Sequence, residues 1–154
     1  MKLATIIAFC LSVTFAHSAN FDIKRMRELF QLVDKDEKYY NELDELTKES
    51  THHQPIAFGY RALYYFMKAK YVMWPNQKMA AFNMGKKMIE ALVTLNPKEP
   101  ELRIIRYSVQ YNVPSILGYS SNLVEDKKVM QSALKVSKFK PIHYLITGVL
   151  NLYK

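Results

Sequence analysis

Glycine is what most restricts the fold of this chain: there are 4 in 154 residues, and none follows an Asn or an Asp. Two-residue strand reversals need residues that tolerate positive φ, so a chain without Asn-Gly or Asp-Gly has few ways to build β-hairpins. Alternating apolar and polar runs are equally scarce. What recurs is apolar spacing of three and four, as in Ile23, Met26, Leu29, Phe30 and Val33, then Tyr39, Leu43 and Leu46. That period belongs to helices with one buried face, and the expected class is all-α.

The helices can be delimited by their breakers. Asp34 with Glu37 reads as a capping pair that restarts the chain after the first stripe. Ile56 to Val72 is apolar on nearly every side, with Gly59, Ala62 and Ala69 allowing close approach, and is expected to be the central, most buried helix. It stops near Trp74-Pro75. Gln77 to Leu95 is amphipathic, with Phe82, Gly85, Met88, Ile89, Leu92 and Leu95 inward and Asn83, Lys86, Lys87, Glu90 and Thr94 outward. In LNPKEPELR, Asn96 is expected to cap the next helix, with Pro97 in its first turn and Glu99 returning a bond. Pro114 ends that helix near Asn112. Ser115 to Leu117 reads as one turn closed by Gly118, and Asn122 with Glu125 as the pair that caps a helix from Leu123 to Lys138. Ile142 to Tyr153 closes the set, with Ile142, Leu145, Ile146 and Val149 inward.

The segment AFGYRALYYFMKAKY followed by AAFNMGKKMIEALVTLNPKEPELR resembles a tetratricopeptide-type helical hairpin. In that pattern a small-residue first helix precedes a second ending in Ala-Leu-x-x-Leu-Asn-Pro, and a Glu-bearing helix follows. The usual Trp and Leu-Gly pair are missing from the first helix. Arg61 and Arg103 stand 42 positions apart, against about 34 for the repeat, so about one and a half hairpins are covered. The resemblance implies a right-handed stack of antiparallel hairpins, about six to seven helices in all, whose first helices line a concave groove. A longer segment, PELRIIRYSVQYNVPSILGYSSNLVEDKKVM, is similar to an uncharacterised family of small exported helical proteins of Bacteroidetes-type bacteria; it implies a source and a fold but no activity.

Residues 1–19, MKLATIIAFCLSVTFAHSA, carry one Lys, an apolar run from Leu3 to Phe15 and then small residues. This is the layout of a secretory signal, with cleavage expected after Ser18 or Ala19. The remaining 20–154 are expected to form one helical domain without a membrane-spanning segment, periplasmic or secreted. The only cysteine, Cys10, lies in the leader, so the mature chain is expected to lack disulfides and thiolate chemistry. Asn20 to Ser50 holds nine acids and six bases, whereas Thr51 to Lys154 holds five acids and fifteen bases. A basic, exported molecule suits a protein or peptide partner, or an anionic envelope component, lipid or polysaccharide; nucleic acid is not expected there.

No motif rises to a reaction. Asp34, Asp36 and Glu45 fit positions 1, 3 and 12 of a calcium loop, but Lys38 and Tyr39 occupy positions 5 and 6, where a ligand and a glycine belong. His52 and His53 are adjacent and diverge on any regular backbone, with His143 the remaining remote ligand, so no metal and no cofactor is expected. No Gly-x-Ser-x-Gly is present, and Glu49-Ser50 ends an acidic, exposed-looking helix rather than a cleft wall.

The expected site is instead a binding face. Around the helix of Arg61, Lys68 lies within 20° and Tyr64 and Tyr65 within about 60° at 100° per residue. Arg103, Arg106 and Gln110 form a matching stripe on the helix that follows Glu99. If both helices line one groove, these residues, with Asn112 and Tyr119 at its mouth, make a basic, tyrosine-lined concave surface for a protein or peptide. The rival reading from another class is an envelope enzyme or hydrolase accessory. Lys135 and Lys138 are expected to be exposed and apart from this face.

Overall fold

A computed structural model describes residues 22–48 and 54–153 of the chain. The leader, Cys10, the cleavage positions, Glu49-Ser50 and His52-His53 lie outside the described residues. The structure is all-α: helix α1 covers 22–30, followed by α2 (Glu37–Lys48), α3 (Pro55–Tyr71), α4 (Pro75–Leu95), α5 (Pro100–Asn112), α6 (Leu123–Ala133) and α7 (His143–Leu152), with 3-10 segments at Ser115–Leu117 and Ser137–Ile142. Among the described residues there is no strand and no helix long and apolar enough to cross a membrane.

Helices adjacent in sequence pack as pairs: α2 on α3, α3 on α4, and α5 on α6. Met26 and Leu29 of α1, Val33 just beyond it and Leu43 from α2 meet Tyr60, Leu63 and Phe66 of α3, Phe82, Ile89 and Val93 of α4, and Leu102, Ile105 and Val109 of α5 in one core. Ile104 and Tyr107, on the other side of α5, pack with Met130, Ile142, Leu145, Ile146 and Val149 in a second. The central helix is therefore α5, buried at every position from Pro100 to Gln110, and not α3, where Phe58 is 40% exposed. The sequence favours α3 because apolarity marks a helix for burial, but α5 is buried on all sides with most of its polar groups paired, Arg103 Nε and Ser108 Oγ excepted among the described residues.

Several boundaries move for local reasons. Asp36, not Asp34, caps α2, its carboxylate accepting the Lys38 N–H at 2.9 Å. Pro75 and Pro100 occupy the first turns of α4 and α5, where a missing N–H costs nothing. Glu99 rather than Asn96 caps α5, accepting from the Glu101 N–H; the Asn96 amide instead donates back to Leu92 O at 2.9 Å. Leu95, expected inward, is 77% exposed. Helix α6 ends at Ala133, short of Lys138, and the chain continues as a 3-10 segment containing Pro141. Asn122 makes no cap to α6, because its side chain and N–H are exchanged with Gln110. The stop near Asn112, the turn at Ser115–Leu117 and the left-handed Gly118 (φ 57°) are as the sequence implies.

Candidate functional site

The nine residues of the expected face do not form one surface. On α3, the Arg61 guanidinium pairs with Asp44 of α2, donates to Thr47 Oγ1 at 3.2 Å, and lies 4.3 Å over the Tyr64 ring and 5.0 Å over Tyr65. Burial pulls its pKa down, yet the hydrogen bonds to Asp44 and Tyr65 carry it above the ordinary arginine value. Tyr64 is buried and stacks on Tyr40 at 5.1 Å. Lys68 Nζ stands 6.0 Å from the Tyr64 ring. This cluster joins α2 to α3.

Arg103 and Arg106 face α6 instead. Asp126, with no exposed surface, accepts from Arg103 Nη1 at 2.8 Å, Arg106 Nε at 2.8 Å and Arg106 Nη2 at 2.7 Å. Arg103 also reaches Glu125 and the Pro97 carbonyl, and Arg106 reaches Glu90 at 2.7 Å. Gln110 is occupied by Asn122. Tyr119 is buried against Phe66 and Phe82, its hydroxyl donating to Glu90 at 2.6 Å. Asn112 donates to Ser108 O and to the Tyr153 hydroxyl. The groove expectation is corrected: each stripe is covered by a different neighbouring helix, Arg61 by α2 through Asp44 and Arg103 with Arg106 by α6 through Asp126, since a guanidinium taken out of water needs a carboxylate partner.

A cleft that the sequence did not single out lies at the N-terminal ends of α3 and α5. Arg27, Ile56, Glu99, Glu101, Lys138, Phe139, Pro141 and Ile142 enclose about 290 Å³, close to the lower size of small-ligand sites, about 300 Å³. Its rear is a closed network. Glu101, 1% exposed, takes both Arg27 Nε and Nη2 at 2.8 Å and the Tyr60 hydroxyl at 2.7 Å. Its front is not closed: Glu99 and Lys138 have no ion-pair partner among the described residues. Glu99 accepts only the weak Glu101 N–H bond, at 3.3 Å, and burial, reinforced by the Glu101 charge, raises its pKa above the ordinary carboxylate value. Lys138 Nζ stands 4.6 Å over the Phe139 ring. Ile56, Phe139, Pro141 and Ile142 supply apolar wall.

One signal for this cleft was present in the sequence: Phe139 and Pro141 fall in the break between a helix read as ending at Lys138 and one read as starting at Ile142, and Phe139, Pro141 and Ile142 line the cleft. The location of Glu99 opposite them is purely tertiary. No protein-family model, no curated protein and no solved structure matches the chain.

Proposed function

We propose that this protein is an exported helical module that binds a peptide or protein segment in the cleft between Glu99 and Lys138. The observation that carries the reading is that Glu99 and Lys138, which feel one another's charge across the cleft, form no ion pair among the described residues and stand beside an apolar wall. A half-buried carboxylate with a raised pKa is costly to keep ionised, and a ligand bearing a cationic group relieves that cost. Lys138 meets an acceptor on the same segment, and an apolar side chain fits against Phe139 and Ile142. Export rests on the sequence of residues 1–19 alone, and the basic, lysine-bearing exterior suits an acidic partner surface around the cleft.

A photo-crosslinking residue placed at Phe139 tests this in exported protein. Crosslinks to a partner that disappear in Glu99→Gln and Lys138→Met are the expected result. Crosslinks obtained instead from a probe at Tyr65, indifferent to both substitutions, would return the site to the α2–α3 face.

A further inference from the structure

The α3–α4 connection forms an apolar tip at the opposite end of α3 from the cleft. Every residue from 73 to 80 is exposed, among them Met73 at 78%, Trp74 at 61% and Met79 at 46%. Trp74 is the only tryptophan of the chain. Lys70 and Lys78 flank it, four residues to either side. Lys78 Nζ folds back over the last α3 carbonyls, at 3.5 Å from Ala69 O and 3.3 Å from Lys70 O, while Lys70 Nζ lies 2.8 Å from Asp34 O.

We infer that this tip docks on an anionic lipid bilayer, with Met73 and Trp74 entering the headgroup layer and the lysines of α4 meeting lipid phosphates. Three arguments select a bilayer over a second protein surface. A few projecting side chains, at about 150–250 Å² for an aromatic, fall well short of the roughly 800 Å² per partner of a stable protein interface. Tryptophan is the side chain best matched to a bilayer interface, with an apolar body and one N–H donor. The charge of α4 is complementary, since it carries no acid before Glu90 and its Lys78 and Lys87 are exposed, while Lys86 Nζ stands 4.8 Å over the Tyr119 ring. The acids at this end, Asp34, Asp36 and Glu37, sit on the α2 side, where their charges act on Tyr71; docking is therefore tilted, with α4 towards the lipid. Each lysine near such a surface contributes about 1 kcal/mol, a factor of about five in partitioning.

The single tryptophan makes the test direct. Full-length mature protein is titrated with vesicles of phosphatidylglycerol and phosphatidylcholine, and with phosphatidylcholine alone, while Trp74 emission is followed. A blue shift with the anionic vesicles, quenching by lipids brominated near the headgroup, and loss of the shift at high salt are expected. Vesicle pelleting should show binding lowered about tenfold or more in Met73→Ser/Trp74→Ser and about fivefold in Lys78→Gln, with far-UV circular dichroism unchanged because these side chains are exposed. No shift with anionic vesicles overturns the inference, as does an equal shift with neutral ones. A blue shift that appears on concentrating the protein without lipid overturns it in favour of a second copy.

Discussion

Asp126, like Glu101, accepts three hydrogen bonds in the interior. Three donors from two arginines meet one carboxylate without exposed surface, and Arg103 Nε still finds no partner among the described residues. Removing the carboxylate would leave two buried guanidinium groups short of charge, so Asp126→Ala should cost about 3–5 kcal/mol in denaturant unfolding. Lys128→Ala, on the exposed side of the same helix, should stay within about 0.5 kcal/mol. Glu99 behaves oppositely. Its folded-state pKa lies above its unfolded value, so the folded state holds the proton more tightly and stability falls as pH rises through the window above the ordinary carboxylate value of about 4.3. Glu99→Gln should therefore raise the melting temperature at pH 7, with the gain vanishing at pH 4 and below; a gain equal at both pH values would mean that ionisation is not the cause. At this scale the sequence was least legible. The stripe of Arg103, Arg106 and Gln110 was visible, but whether a stripe meets water or Asp126 depends on residues some twenty positions away.

Helix type and order followed from periodicity and breakers, and the differences arose where two signals competed. In LNPKEPELR two prolines offer two first turns, and Pro100 takes that role because Asn96 is spent on the end of α4. In the 134–142 stretch α6 ends at Ala133 rather than at Lys138, and Pro141, which lacks an N–H to continue an α-helix, sits inside the 3-10 segment that follows. Close packing between elements also fixes the outcome of glycine substitutions. A Cβ at Gly85 would stand 3.0 Å from the Ala62 carbonyl and 3.1 Å from the Phe66 ring, and a backbone oxygen cannot step aside as a side chain can. Gly85→Ala should lose about 1–2 kcal/mol once its gain in helix propensity is subtracted. A Cβ at Gly148 meets nothing within 4 Å, so Gly148→Ala should stabilise by about 0.5–1 kcal/mol; paired urea titrations read both signs.

For the molecule as a whole, α5 belongs to both cores through opposite sides of one helix, so neither core can lose it and persist. Far-UV and near-UV circular dichroism should report one coincident unfolding transition. The 17 residues of α3 set the cleft and the Trp74 tip about 25 Å apart, so a molecule resting on its tip would hold the cleft away from the surface. The two kinds of base are also sorted by depth. All five arginines, Arg25, Arg27, Arg61, Arg103 and Arg106, are ion-paired within helices, whereas Lys35, Lys98 and Lys135 stand exposed in or beside the connections between helices. A protease needs a stretch of chain it can pull into extended form, and connections yield one far more readily than packed helices. Native protein should therefore be nicked by a lysine-specific protease after Lys35, Lys98 and Lys135, yet survive an arginine-specific one. Among the described residues, resistance to proteases that cut after basic residues is then decided by lysines rather than arginines.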